Sequence, residues 1–570
     1  MVSVDVSRAK PSDISWPSEA KWKAFGEQVG GRLFKVQTPL ADCVEAMHSI
    51  PPDDAVKLLQ NPYFIGDLAG ATQSSGWVDG WVSTPSIYGV RAKCAADVSA
   101  AVSFAREHHL RVVVKGGGHS YQGTSCAADS LLIWTKGMDS IVLQDAFAMQ
   151  GCEGTPQPAV TIGAGALWGR VYTEVTTKAK RYVQGGGCTT VGVAGLIQSG
   201  GFGSFSKRYG MAASWLLEAE VVTADGEIRV ANACTNSELF WALKGGGGGS
   251  LGVVTRVTLA THELPAWFGR SCMTIKAASI EAFRRLVRVF FEFYRNSLFN
   301  SHWGESVTFG NNTLHITMVC QGLTEHQAQQ VWLPFLKWVM SLADDLRFAG
   351  PPDIAVMPAS WWWDKKRRDD AVSDSRVNAS EDNWWFASTQ GEVGAFWHGY
   401  GSVWLPDSLL VGESHERFLD ALFAALQRSA VSLHFNKGLA GAAEDIVAAS
   451  KDTATHPAVQ TAFALAIVAG LRAPAYQWVP GIELDLARAR RDAAAFAQAM
   501  QELHKVVPAP GAYLAESDFF EKNWQRAFWG DNYRRLQAVK AAYDPHGLFF
   551  VHHGVGSEDW SADGFTRISN

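Results

Sequence analysis

The chain has 570 residues, 19% of them charged and 47% hydrophobic, with a formal net charge of −6. Single hydrophobic cores stop growing at about 250–300 residues, so two domains or more are expected. The mild acidity provides no basic footprint for nucleic acid or anionic lipid, and no apolar run reaches the length of a membrane span, so neither partner is expected.

Residues 1–22 contain no continuous apolar core of the kind a secretory signal needs. The chain as it stands is therefore expected in the cytoplasm, and secreted if a signal peptide was removed. The eight cysteines show no CxxC or zinc-like spacing, which gives no metal site. Reduced thiols are the default for a cytosolic chain, with one disulfide near the N-terminus left open.

In chain order, residues 1–83 read as an N-terminal extension packed on a first domain, 84–263. Residues 95–107 place Val98, Val102, Phe104 and Ala105 at helical spacing, and the β-branched run 110–114 leads into a glycine turn. Strands are predicted at 131–134, 159–162, 218–223, 228–230 and 253–259. Past Glu263 the amphipathic helices 280–294 and 326–342 open a second domain, 264–505, which ends in an alanine-rich helix at 485–503. Within it, residues 361–404 are dense in tryptophan, read as packing first and pocket lining second. The cluster Lys365-Lys366-Arg367-Arg368-Asp369-Asp370 reads as a solvated mixed-charge loop. Residues 506–570 form a C-terminal segment.

Two nucleophiles stand in glycine-dense turns: His119 in Lys115-Gly116-Gly117-Gly118-His119-Ser120, and Cys188 in Gly185-Gly186-Gly187-Cys188-Thr189-Thr190-Val191-Gly192. Glycine lets the backbone approach a flat or anionic group closely and reach φ > 0. A neutral imidazole can add to the 8α-methyl of an isoalloxazine, and a thiolate, stabilised by backbone N–H groups, can add at C6. Each turn alone reads as a turn; together they point to two covalent anchors for one flavin. The five glycines of 245–249 match GxGxxG trivially, and no early strand–GxGxxG–helix unit precedes an acidic residue, so a Rossmann NAD site is not expected. His552 and His553 are adjacent on an extended segment, where neighbours point to opposite faces, and read as structural.

Four stretches, 112–125, 188–210, 241–255 and 528–549, occur in the order found in the FAD-linked oxidases of the vanillyl-alcohol oxidase superfamily, and the chain resembles their berberine-bridge-enzyme-like branch. Residues 437–441 and 549–566 are most similar to its isoamyl-alcohol-oxidase-like subgroup. The resemblance implies an α+β, two-domain PCMH-type FAD-binding fold of two α/β subdomains. A substrate domain of antiparallel sheet covered by helices is inserted, and a C-terminal segment returns to the FAD domain. It implies FAD covalent to His119 and Cys188. Further cofactor contacts are expected from Lys115, Gly116, Gly117, Gly118, Ser120 and Gly123, then Gly165, then Thr190, Val191, Gly192 and Gly195. Ser199, Gly200, Gly201, Gly203, Val253, Val254, Asn532 and Tyr533 complete the expected set. Two departures are visible: Thr189 stands where many relatives have proline, and Phe528-Trp529 where relatives often carry tyrosines.

The resemblance further implies oxidation of an alcohol by hydride transfer to flavin N5. Val191, in the position that gates oxygen, implies reoxidation by O2 to hydrogen peroxide. Candidates for the base are Tyr121, Tyr513, Glu516, Lys437 and His398, the last reading first as a satisfied interior histidine. The alternatives are a carbohydrate oxidase, a biosynthetic oxidase forming a ring or a C=C bond, and a flavin-binding protein without turnover. Partners are expected to be a small-molecule substrate and O2, in a monomer or homodimer.

Overall fold

The computed structural model describes residues 7–39, 57–479 and 482–568; Cys43, a candidate for an N-terminal disulfide, lies outside the described residues. Two small sheets come first. In one, Tyr88–Arg91, Ser130–Trp134 and Arg111–Lys115 run parallel, and Leu33–Lys35 adds antiparallel to Tyr88–Arg91. The helix Ala95–Glu107 lies against this sheet through Val98, Ala101, Val102 and Ala105, all fully buried. Parallel strands need such a crossover, and it covers their face.

The other sheet is antiparallel, in the order Ile228–Asn232, Leu216–Val222, Val253–Ala260, Gln157–Gly163, Ile141–Phe147. Cys152, in the turn before Gln157, is disulfide-bonded to Cys234, just past Ile228–Asn232, with Cα atoms 5.5 Å apart. This corrects the expectation of reduced thiols: the pair is 82 residues apart in sequence, and the loop between Ile141–Phe147 and Gln157–Gly163 reaches across to the opposite edge strand, where the Asn232 side chain donates to the carbonyl of Gln150 at 2.9 Å.

A ten-stranded sheet forms the rest. Its long antiparallel strands include Trp267–Ala277, Thr313–Gln321, Ala395–Pro406 and Ala462–Arg472. The helices Ile280–Phe293, Glu325–Met340, Gly412–Leu426 and Leu486–His504 supply Phe290, Trp332, Phe418 and Leu503 to its core. Within residues 1–83, Leu33–Lys35 packs on the first domain as expected of the extension, and Ser74–Trp77 also extends the large sheet, parallel to Ala395–Pro406.

The C-terminal helices Trp524–Trp529 and Tyr533–Tyr543 return to the second small sheet, where Trp529, Leu536 and Val539 share a core with Val160, Trp241 and Val257. Ser7 bridges Thr566, and the Arg8 guanidinium lies 3.9 Å from the Trp560 ring. The whole is an α+β arrangement, with two small sheets beside a large, mainly antiparallel one covered by helices. No helix among the described residues is long and apolar enough to cross a membrane.

Candidate active site

The strand Arg111–Lys115 ends in the turn that carries His119. Lys115 packs its side chain under Gly118 of that turn and is 2% exposed; its Nζ donates to the carbonyls of Leu68, Ala69 and Ala71 at 2.9, 2.6 and 3.0 Å. Burial pushes its ammonium down to about 7. It ties the preceding loop to the turn and makes no wall of the cavity described below. The second turn leads into the helix Val193–Gln198, with Gly192 at its N-cap. Tyr172 donates to the carbonyl of Gly186 at 2.6 Å, and Thr189, where relatives carry proline, donates to the carbonyl of Trp384 at 3.0 Å. The extra hydroxyl thus secures the turn that a proline would otherwise stiffen.

The two turns bring His119 and Cys188 together. Thr190 Oγ1 lies 3.1 Å from His119 Nε2 and 3.4 Å from Cys188 Sγ. Burial pushes the His119 imidazole down to about 4, which leaves it neutral and nucleophilic near neutral pH. Burial, and then the Glu392 carboxylate, push the Cys188 thiol up, against the hydrogen bond from Thr190 and the backbone N–H groups of Thr190 and Val191.

Both side chains border a cavity of about 630 Å³, within the usual range for small-molecule and cofactor sites. Its walls suit an FAD. Gly247 and Gly249 expose backbone at φ 92° and 82°, where a side chain would be strained. Ser250 Oγ and His553 Nδ1, on residues of the wall, are buried polar atoms without a partner among the described residues, which a polar cofactor chain would satisfy.

Of the expected cofactor residues, Gly116, Gly117, Gly118, His119, Ser120, Cys188, Val191, Gly192, Gly195, Ser199 and Val254 line the cavity. The remainder stand behind it. Gly123 is packed on the Trp81 ring, Gly165 on the Thr135 carbonyl, and Gly203 on the carbonyl of Gly185. Gly200 abuts Thr455, and Gly201 abuts Leu196 and Ala212. Val253 is 1% exposed in the neighbouring core. Asn532 donates to the carbonyl of Thr455 at 2.8 Å, and Tyr533 donates to Glu558 at 2.6 Å. Each is satisfied within the protein and supports the wall.

Tyr121, Tyr513, Glu516 and Lys437 line the same cavity, and Lys437 forms an ion pair with Glu516. His398 does not. It is the unpaired residue at a register shift between Trp397 and Gly399, so its ring turns to the outer helix, with Nδ1 2.9 Å from Asp492. The same shift lets both Trp397 and Tyr400 reach Tyr121, with ring centroids 4.4 and 5.4 Å away.

Sequence reading did not single out Glu392, Glu305 or Tyr400 as chemical groups, and all three border the cavity. Tyr121 donates to Glu392 Oε2 at 3.0 Å. Glu392 opens onto the cavity while protein surrounds it on its other sides; this burial raises its carboxyl, opposed by the Tyr121 hydrogen bond. Burial also raises the Tyr121 phenol well above its ordinary value. Arg368 departs from the solvated loop expected of its cluster: it lines the cavity, held by Asp370 at 2.8 and 2.7 Å and packed on Trp362 and Phe386. His552 and His553 do not point to opposite faces. His553 takes φ 52°, and the two rings stack with centroids 3.8 Å apart.

A fold of two small sheets and one large one, meeting at a glycine-walled cavity with a buried imidazole and thiol, defines a flavin-dependent oxidoreductase. Residues 87–232 match the family model "FAD binding domain", and residues 512–556 match "Berberine and berberine like". The chain is 30% identical to the FAD-linked oxidoreductase malF of Malbranchea aurantiaca, over 98% of this chain and 93% of that protein. It superposes on a VAO-type flavoprotein of Myceliophthora thermophila with a TM-score of 0.78 and 25% identity, covering 98% and 99% of the two chains. A glucooligosaccharide oxidase of Acremonium strictum, described as carrying 6-S-cysteinyl, 8α-N1-histidyl FAD, shares the fold at a TM-score of 0.64 and 18% identity, covering 91% and 99%. The chain belongs to the berberine-bridge-enzyme-like branch of the VAO-type, PCMH-fold FAD-linked oxidases.

Proposed function

We propose that this enzyme holds FAD by two covalent links, at His119 and Cys188, and oxidises an alcohol, returning electrons to O2 as hydrogen peroxide. The observation that carries the reading is the shared contact of His119 Nε2 and Cys188 Sγ, both in the cavity wall, with one hydroxyl, that of the buried Thr190. The doubly linked FAD named for the glucooligosaccharide oxidase supports it by analogy. A flavin held there would supply hydride acceptance and electron transfer to oxygen.

The chain's own residues handle the proton. Tyr121 is too strongly raised to act as a phenolate; the group that takes the proton is the Glu392 carboxylate, with the Tyr121 hydroxyl relaying it across their 3.0 Å hydrogen bond. The raised Glu392 carboxyl is better matched to a hydroxyl proton than an ordinary glutamate. The Lys437–Glu516 pair lies in the same polar wall, and both charges act on Glu392. Val191 borders the cavity beside Cys188 with a short side chain, which leaves space for O2.

Acid denaturation followed by mass spectrometry tests the links: flavin remains on the wild-type polypeptide and on His119→Ala and Cys188→Ala singly, and is released from the double variant. Flavin released from the wild type would sink the reading. An anaerobic screen of alcohols and oligosaccharides for flavin reduction, with peroxide measured on return to air, then identifies the substrate.

A further inference from the structure

Glu305 has no part in the proton route through Tyr121 and Glu392. It lies in the strand Trp303–Gly310 with φ 66°, a left-handed conformation that a non-glycine residue keeps only where its surroundings enforce it, and that clusters at functional sites. Two contacts enforce it here. A Cβ on the preceding Gly304 would stand 1.8 Å from the carbonyl oxygen of Ser204, so the strand is pressed onto that loop. On the other side, the Glu305 carbonyl accepts from the backbone N–H of Phe435 at 2.8 Å.

Held in this way, the carboxyl group reaches the cavity. Its Oε1 accepts a hydrogen bond from Ser204 and lies 4.0 Å from the Cβ position of Gly187, next to Cys188. Its Oε2 has no hydrogen-bond partner among the described residues, and is not sealed from the cavity. Burial raises this carboxyl, with the Glu516 charge adding to the effect, against the Ser204 hydrogen bond and Lys437. A carboxyl group that retains its proton both donates and accepts, as a hydroxyl does.

We propose that Glu305 is a specificity-determining residue that binds a second hydroxyl of the substrate, distinct from the one oxidised. The proposal rests on the reading of this cavity as the substrate's, and it narrows the substrate to a polyol or other multiply hydroxylated compound. The backbone strain at Glu305 serves to aim Oε2 at that hydroxyl.

The test uses the holoenzyme and two probes that differ by one hydroxyl, para-benzenedimethanol and para-methylbenzyl alcohol. Binding is read from the rapid change in the oxidised flavin spectrum. The wild type prefers the diol by about tenfold, as one hydrogen bond in a closed site provides. Glu305→Gln keeps the preference; Glu305→Leu and Glu305→Gly lose it. Because glycine relieves the strain, the Gly variant melts no lower than the Leu variant. Equal binding of the probes by the wild type, or a preference that survives in Glu305→Leu, overturns the proposal; a Gly variant that melts below the Leu variant overturns the role given to strain. The readout is binding, so it stands even if neither probe reduces the flavin, an outcome that counts against the alcohol-oxidase reading alone.

Discussion

Gly117 and Gly192 press backbone against backbone: a Cβ on Gly117 would stand 2.7 Å from Gly192 N, and one on Gly192 would stand 2.8 Å from Gly117 N. This contact joins the turn that carries His119 to the turn that carries Cys188. Neither glycine has a flexible neighbour to absorb a methyl group, since the atoms it would meet are main chain. Gly117→Ala is therefore expected to destabilise the protein by about 1–3 kcal/mol, the usual cost of overpacking, and to reduce the fraction of chains with both flavin links. Thermal unfolding and the mass of the denatured polypeptide measure the two effects. An Ala variant with wild-type stability and full double attachment would show that the turns can separate freely.

The Thr190 hydroxyl lies between the two proposed anchors, 3.1 Å from His119 Nε2 and 3.4 Å from Cys188 Sγ. With Nε2–H donating to Thr190 Oγ1 and the Thr190 hydroxyl donating to sulfur, Nδ1 keeps the free lone pair and the thiolate gains a donor. Burial raises the Cys188 thiol, so loss of that donor falls hardest on the thiol link. A hydrogen bond to a charged group contributes about 1.5–3 kcal/mol, so Thr190→Val should slow thiol attachment by about tenfold or more. Apoprotein reconstituted with FAD and sampled over time by mass spectrometry should show the histidyl link forming ahead of the cysteinyl one. Simultaneous attachment at wild-type rates would remove Thr190 from the chemistry.

The glycine turns that carry His119 and Cys188 were legible in the sequence because such runs are local signals, and so were the helices and strands that carry period 3.6 or 2. The helix Ala95–Glu107 and the strand Ile228–Asn232 begin at the positions their patterns indicated. Glu392, the proposed base, was not legible in the same way as Tyr121. Glu392 meets Tyr121 across 271 positions, and a glutamate carries no local mark of the fold that will bury it. The second reading of His398, as a pocket base, failed for a related reason: it stands among aromatics in a strand, but a one-residue register shift turns it to the outer helix and leaves Trp397 and Tyr400 facing Tyr121. Arg368 shows the converse, a residue in a charged run that the fold draws inward beside Trp362. Side-chain direction at a bulge or in a long loop is set by tertiary packing, which a one-dimensional pattern does not encode.

If Glu392 takes the substrate proton, its ionisation sets the acidic limb of the rate of flavin reduction. Burial raises that carboxyl, and the nearby Lys437 charge acts to lower it. Removing the cation in Lys437→Met should therefore move the acidic limb to higher pH, because the base now keeps its proton further up the scale. Glu392→Gln should lower the rate of reduction on the order of 10²- to 10⁴-fold and abolish that limb, with covalent FAD content unchanged. Stopped-flow reduction across a pH series is the measurement. A Lys437→Met limb displaced to lower pH would contradict the assignment.

Acid stability offers a test independent of flavin and substrate. His456 Nδ1 accepts a hydrogen bond from the backbone N–H of Ala458 at 3.0 Å, and burial pushes its imidazole from 6.5 down to about 4. The unfolded chain, with the ordinary value, therefore takes up the proton first as pH falls. The contribution of His456 to stability is fully present above 6.5 and is lost as pH falls toward about 4, below which both states carry the proton. His262 is pushed down to about 4 by burial as well and adds to the loss over the same window. His456→Asn, which keeps a side-chain acceptor for the Ala458 N–H, should flatten the fall of the thermal midpoint between those two pH values while leaving it little changed above 6.5. A variant as acid-sensitive as the wild type would place the origin of the loss at other groups.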